Sequence, residues 1–270
     1  VLQQHCNYEI ILIDNDALSN VEANLPNADN IRYYKQQRNL GCGGGRNAGA
    51  NLAKGQYLVF LDDDAEFATN DAFVKVAYYF EKNPKIGCLA FQIRNYYSNK
   101  IDPKEFPHTN TNLFKMTMNI SYYIGAGHAI RKNTFDKIGP ILEIPYGEEL
   151  DYAFRMIKAG YHLLYTPEIV VLHKVSPEGR ASNKRFIYFN VRNRYIVLSN
   201  HLPIYYLFVN ISLWNAVWFF RALKICALKD FFKGLWDGTI CFFHALMTTR
   251  EVLKPQHLTY LKKYGGRLWY

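Results

Sequence analysis

A short apolar run, Tyr57-Leu58-Val59-Phe60-Leu61, ends without transition in three carboxylates, Asp62-Asp63-Asp64. Bounded upstream by Lys54-Gly55, the run predicts a fully buried strand, and a strand of this kind belongs to an α/β sheet whose ligands gather at strand carboxyl ends. Three acidic side chains at one strand end repel each other, so a fold needs a reason to collect them there. Alternation along extended chain sends Asp62 and Asp64 to one side and Asp63 to the other. Two carboxylates on one side make a hard-oxygen site for Mg2+ or Mn2+, ions that keep waters and bind substrate phosphates. The plainer alternative is a solvated acidic turn, and the rest of the chain decides between them.

A second buried-strand run, Tyr8 to Ile13, ends at Asp14-Asn15-Asp16. Polar groups just past a strand end can meet a base or ribose, or simply form a turn. Ile31 to Tyr34 is a further short strand. Arg38 to Gly49 is glycine-rich and leads into helical residues Ala50 to Lys54. A glycine turn feeding a helix start would offer backbone N–H groups to a phosphate, although neither a Walker loop nor the dinucleotide spacing GxGxxG is present. Asp71 to Lys82 has helical spacing and stops at Asn83-Pro84. Ile86 to Ile93 reads as a strand, Asn95 to Asn119 as a long polar surface segment, and Tyr122 to Arg131 as a strand–turn with His128 as a structural histidine. Gly147-Glu148-Glu149-Leu150-Asp151 opens a helix closed by Gly160, with Asp151 and Arg155 paired at i,i+4. Acidic residues in a first helical turn complement the macrodipole; they also stand where a general base would be placed opposite a metal–phosphate site. The strand Glu168 to His173 ends in a histidine that would complete an Asp62/Asp64/His173 metal set.

Charge divides the chain. Arg180 to Tyr270 carries 14 Lys and Arg against 3 Asp and Glu, whereas Val1 to Gly179 carries 18 against 20. Five cysteines (Cys6, Cys42, Cys88, Cys226 and Cys241), odd in number and without CxxC spacing, point to a reducing compartment and away from a disulfide framework or zinc site. Leu202 to Phe220 is free of formal charge and long enough to span a bilayer. Its Asn210, Ser212 and Asn215, its Trp and Tyr content and its basic surroundings (Arg192, Arg194, Arg221, Lys224, Lys229, Lys233) favour amphipathic helices lying on a membrane face, over a core or dimer-forming tail. No nucleic-acid-binding motif accompanies the positive charge.

In order along the chain, Glu9-Ile-Ile-Leu-Ile-Asp14-Asn15, Asn39-Leu-Gly-x-Gly-Gly-Gly-Arg46-Asn47-Ala-Gly49, Phe60-Leu-Asp62-Asp63-Asp64, Gly125-Ala-Gly127, Gly147-Glu148-Glu149-Leu-Asp151-x3-Arg155 and His173 resemble the family 2 glycosyltransferases, particularly bacterial rhamnosyltransferase-like members. Each motif is weak alone; their shared order from about residue 1 to about 200, closing at Arg192-Asn193, is specific. The resemblance implies a GT-A fold, Rossmann-like with a mostly parallel central sheet flanked by helices. It divides the chain into a transferase domain, 1–200, and a basic, aromatic-rich helical tail, 201–270, that is membrane-associated. It further implies an inverting transferase that moves a sugar from a dTDP-, UDP- or GDP-linked donor to a hydroxyl of a lipid-linked or cell-surface glycan, on the cytoplasmic face of the cell membrane. Asp62, Asp64 and His173 would hold Mn2+ or Mg2+. Asp14, Asn15, Arg46, Asn47 and Asp63 would contact the nucleotide, and Glu149 would be the base, with Glu148 and Asp151 beside it. Two departures from the family pattern stand out. The usual first strand is missing, Val1 to Cys6 matching only a helix end, so the chain is expected to be truncated. The usual Glu-Asp is Glu148-Glu149 here. The competing reading is a catalytically silent nucleotide-sugar-binding or scaffold module.

Overall fold

The computed structural model describes residues 7–15, 25–26, 28–175, 183–248, 250–266 and 268; the helix end expected at Val1 to Cys6 lies outside them. The elements run β1 (Ile10–Asp14), β2 (Ile31–Lys35), α1 (Gly41–Leu52), β3 (Tyr57–Leu61), β4 (Ala65–Phe67), α2 (Ala72–Lys82), β5 (Ile86–Asn95), β6 (Met118–Ile120), β7 (Gly127–Arg131), α3 (Lys132–Ile138), α4 (Glu148–Lys158) and β8 (His162–His173). Four helices follow: α5 (Asn183–His201), α6 (Ile204–Lys224), α7 (Leu228–Met247) and α8 (Pro255–Lys263).

The central sheet has the order β3-β7-β5-β8-β4, with β6 also on β8, and β1-β2 pair separately. It is mixed rather than mostly parallel. Only β1·β2 and β5·β8 run parallel, while β7 enters antiparallel between β3 and β5, and β4 and β6 lie antiparallel on β8. The acidic triplet is the cause at one edge. Asp62 to Ala65 forms a turn closed by Ala65 N–H donating to Asp62 O at 3.1 Å, so the chain leaves β3 and joins the far edge as β4. In the middle of β8, Pro167 removes a ladder donor, and the register shifts there, Phe91 facing Thr166 but Gln92 facing Val170.

The glycine-rich stretch is helix, not turn. Gly43, Gly44 and Gly45 are buried in α1, and their use is close approach. A Cβ on Gly43 would sit 2.4 Å from Leu142 O, and one on Gly45 2.8 Å from the Asn15 amide nitrogen. Both approaches dock α1 against Leu142 and Asn15, so the expected glycine turn is replaced by a tightly packed helix.

Two apolar clusters flank the sheet. One, with Phe80, Phe91 and Val171, lies under α2. The other joins α4 to the sheet and takes in Leu198, Leu207, Leu253 and Leu261 from the C-terminal helices. The tail beyond residue 200 therefore completes the core of the domain it follows. α8 pins the sheet edge directly: the Tyr260 hydroxyl donates to Ile120 O at 3.0 Å and accepts from Leu163 N–H at 3.2 Å. The uncharged stretch after Leu202 forms α6, packed on α5 and α7 around Trp218, Ala222 and Phe231. No described helix is long and apolar enough to cross a membrane. Cys42, Cys88, Cys226 and Cys241 are free thiols.

Candidate active site

The turn that ends β3 gives the predicted outcome by a different route. Asp62 and Asp64 are half-buried and Asp63 is exposed, yet turn geometry rather than the pleat of extended chain turns them together. β4 lies beside the end of β8, Ala65 opposite His173, which brings the histidine to the turn. One ligand atom from each of Asp62, Asp64 and His173 lies within 4.8 Å of the others. His173 Nε2 is 3.1 Å from Asp64 Oδ1, while its Nδ1 lies 2.6 Å from Glu105 Oε1. Glu105 ends a 3-10 turn, Pro103–Glu105, capped by the Asp102 side chain. Its hydrogen bond to Nδ1 raises the His173 pKa, with the carboxylates of Asp64 and Asp62 adding to the effect against the opposing cost of burial. A carboxylate behind an imidazole fixes the ring and directs its other nitrogen, the usual support for a histidine ligand. Two hard oxygens and one nitrogen fit Mn2+ or Mg2+.

Arg46 connects this trio to the helix start of α4. Its Nη2 donates to Asp62 Oδ1 at 3.0 Å and Gly125 O at 3.2 Å, and its Nη1 lies 3.5 Å from Glu149 Oε1 and 3.6 Å from Glu148 Oε1. Burial works against the guanidinium charge, but Glu149, Asp62 and Glu148 outweigh it and hold the pKa well above its ordinary value. Assigned from sequence to the nucleotide, Arg46 instead sits at the hub of the acidic cluster. The two neighbouring glutamates have different surroundings. Glu148 is 3 % exposed, and its Oε2 has no hydrogen-bond partner among the described residues. Burial, then the adjacent Glu149 charge, push its pKa well up against the pull of Arg46. Glu149 keeps 23 % of its side chain exposed. Only Glu149 of the two can meet an incoming group.

Gly125 makes the room these side chains occupy, since a Cβ there would lie 2.3 Å from Glu149 Oε1 and 2.7 Å from Arg46 Nη2. His128 is fully buried, stacked on Phe60 at 4.9 Å, and burial holds its pKa well below the usual value; it is a neutral core ring, as expected.

Other predicted residues also make contacts within the fold. Asn47 is buried with both ends of its amide on Ile141, donating to its O at 2.8 Å and accepting from its N–H at 2.7 Å. Asn15 donates to Gly41 O at 3.1 Å and accepts from Leu40 N–H at 3.4 Å, tying β1 to the start of α1. Asp14 accepts from the Tyr33 hydroxyl at 2.6 Å. Asp151 is buried between Arg155 Nε and His201 Nε2, each at 2.8 Å. That makes it the anchor of α4 on α5 rather than a member of the reacting set. Asn193 of α5 donates to the carbonyls of Pro145 and Tyr146. Tyr146 and Gly147 both have positive φ, +66° and +104°, so Asn193 holds a strained turn that presents Glu148 and Glu149. Glu105 and His201 escaped sequence reading as site residues, whereas Asn193 entered it only as the end of the family resemblance. Asp102-Pro103 carries a capping signal for the Glu105 turn, but nothing local points it at His173.

The sequence profile of "Glycosyl transferase family 2" matches residues 1–139. The chain belongs to this family. A relative from Haemophilus influenzae, an uncharacterized protein, is 37% identical over 141 residues, 49% of this chain and 76% of its own length. The O-antigen chain rhamnosyltransferase RfbN of Salmonella typhimurium is 26% identical over 195 residues, 66% of this chain and 60% of its own. The solved structure of GalNAc-T7 with UDP, GalNAc and Mn2+ superposes with a TM-score of 0.55 at 21% identity, covering 75% of this chain and 44% of that one. At that identity the likeness concerns the fold, which is GT-A. The chain thus spans well under two thirds of these last two proteins. The family model ends before α4, so it contains Arg46, Asp62 and Asp64 but not Glu149 or His173.

Proposed function

We propose that this family member transfers a sugar from a nucleotide-diphosphate donor to a hydroxyl of a saccharide acceptor, with inversion and with a divalent cation held by Asp62, Asp64 and His173. The observation that carries the reading is the continuity of the cluster. Asp62 belongs both to the metal-competent trio and, through Arg46, to the pair that includes Glu149. A donor diphosphate at the trio would therefore lie beside the one partly exposed carboxylate at the start of α4.

Glu149 takes the proton of the acceptor hydroxyl as its oxygen forms a bond to the anomeric carbon, and the sugar–phosphate bond breaks on the opposite face. General base catalysis of this kind contributes about 10²–10⁴-fold. A bound divalent cation supplies positive charge to the departing diphosphate. Glu148, buried beside Arg46, is shielded from an incoming group and leaves that contact to Glu149. Arg46 holds Asp62 and Glu149 in register and offsets their repulsion. Asp14, at the carboxyl end of β1, and exposed Asp63 are assigned to the nucleoside side of the donor.

Calorimetric titration with UDP, dTDP and GDP, with and without Mn2+, tests the donor half. One nucleotide should bind in a Mn2+-dependent way, and Asp64→Ala should abolish it. Glu149→Gln tests the chemistry, with donor binding retained and turnover lost. Binding of no nucleotide would refute the transferase reading. Nucleotide binding with turnover unaffected by Glu149→Gln would refute the assignment of the base.

A further inference from the structure

Helices α6 and α7 expose an unusual amount of apolar surface. Both pack on α5 with their other faces: Gly234 and Gly238 of α7 abut Tyr188 and Tyr195 of α5, and Asn215 of α6 donates to the Tyr195 hydroxyl at 2.7 Å. The faces left over point away from the protein. On α6 that face carries Val209, Leu213, Val217 and Phe220, with Phe220 63% exposed. On α7 it carries Phe232, Trp236, Ile240, Phe243 and Met247, with Trp236 70% and Met247 88% exposed. These residues recur at three- and four-residue spacing, so each set forms one stripe along its helix. Scattered apolar residues on a surface need no explanation, but two adjoining stripes of large side chains do.

The charges show what covers them. Several basic residues of the tail point inward: the Arg194 guanidinium lies over Trp214 at 4.1 Å and donates to Asn210 at 2.7 Å, and Arg192 lies over Tyr188 at 5.4 Å. Arg221, Lys224, Lys229 and Lys233 are exposed from the end of α6 through the first two turns of α7, with Arg221 lying over Trp218 at 4.7 Å and Lys233 over Tyr188 at 5.4 Å. Only Asp230 and Asp237 are acidic between 183 and 248, and Asp237 accepts from the Tyr188 hydroxyl at 2.8 Å. An apolar face rich in Phe and Trp and rimmed on one end by cations is complementary to an anionic lipid surface, with rings in the acyl boundary and ammonium groups among the headgroups. A second copy of the chain would set four cations against four cations if the interface were symmetric about this segment.

We infer that the outward face of the α6–α7 hairpin docks flat on a bilayer containing anionic lipid. This goes beyond the transferase reading and does not depend on it.

The test is flotation of the purified chain, without nucleotide or metal, with vesicles of phosphatidylcholine alone or mixed with phosphatidylglycerol. The chain should float with the mixed vesicles and lose that association as salt rises. Phe220→Glu with Trp236→Glu should lower partitioning by roughly tenfold or more per site, from the apolar area kept in water. Both side chains are exposed, so the double variant should melt at the wild-type temperature. Lys224, Lys229 and Lys233 changed together to Gln should abolish the preference for phosphatidylglycerol. Independently of any folding defect, brominated lipid should quench wild-type fluorescence, and Trp236→Phe should remove most of that quenching. A wild-type chain that stays with the soluble fraction would overturn the inference. So would a double variant that floats as well as wild type, or a dimer in sedimentation equilibrium that dissociates on Trp236→Glu. Vesicle binding by a chain that binds no nucleotide would leave the docking surface standing and remove the transferase reading alone.

Discussion

Gly125→Ala is the sharpest probe of the cluster, because one methyl group reaches the proposed base without touching the apolar core. The added Cβ would lie 2.3 Å from Glu149 Oε1, where contacts under 3.0 Å are essentially never seen, so that carboxylate oxygen must retreat by at least 0.7 Å, the difference between the two. Arg46 cannot yield in its place, since its Nη2 is also only 2.7 Å from that Cβ and is held by Asp62 and the Gly125 carbonyl. Gly125 has no positive φ to protect, and the backbone itself accepts alanine. A misplacement of about 1 Å in a reacting group costs on the order of 10²-fold in rate, or about 2.7 kcal/mol on the barrier. We expect kcat for donor turnover, read as nucleotide release, to fall 10- to 100-fold (about one to two decades) by this reasoning, with donor affinity within about threefold of wild type. Adding Glu149→Asp should recover part of the loss, because the shorter side chain vacates the space the methyl takes. Gly127→Ala is the contrast: its Cβ would meet Val171 Cγ2 at 2.8 Å, so it should lower stability while leaving the turnover of the folded fraction intact. Wild-type kcat in Gly125→Ala, or no recovery in the double variant, would refute the placement of Glu149 as base.

Three further outcomes follow from the same geometry. Glu105→Gln should weaken Mn2+ binding about 10- to 100-fold in a spectroscopic titration without donor; unchanged affinity would show that His173 needs no support from behind. Asn47→Ala should destabilise the fold by about 1–3 kcal/mol by leaving the buried Ile141 amide groups unpaired, with nucleotide affinity unchanged, and a selective loss of affinity would return Asn47 to the nucleotide. For Asp151, burial pushes the carboxyl pKa up, but the His201 hydrogen bond and charge, with Arg155, outweigh it and leave the value lowered. Its stabilising contribution is therefore complete above the unfolded carboxyl value of about 3.9 and is lost as pH falls through the lower folded value. Thermal melts of Asp151→Asn should be lower than wild type at pH 7 and converge on it in that acid range; parallel curves would contradict the anchor.

What the sequence made legible was chemistry concentrated in short motifs. The strand before Asp62, the pairing of Asp62 with Asp64, the Asp151–Arg155 pair and the helix after Gly147 are local patterns, and each is present, although β3 is an edge strand with only Leu58 buried rather than the fully buried strand expected. The union of His173 with the acidic turn was also anticipated, although its cause, β4 laid beside β8, is a matter of sheet order that periodicity does not reveal. Arg46 and Asn47 show the limit. A basic and an amide residue in a glycine-rich run suit a phosphate equally well, and only the tertiary fold shows one at the centre of three carboxylates and the other on the Ile141 backbone. The glycines misled for a related reason, since glycine permits turns and close helix packing alike, and the choice belongs to Leu142, a hundred residues away. Glu105 lay in a segment read as featureless because a single supporting carboxylate has no period.

The order in which the sheet is laid down has a consequence for biosynthesis. β8 lies between β5 and β4, so the sheet stays open until residue 173 has been made, and the turn before Glu148 waits longer for Asn193 and His201 of α5. A ribosome that stalled after α4 would release a polypeptide with Asp62, Asp64, Arg46 and both glutamates already in it. That polypeptide would have neither the imidazole nor the strut that brings those groups into register. Interrupted synthesis would thus yield an inert product rather than a loosely selective one, and competence would come only with the last helices.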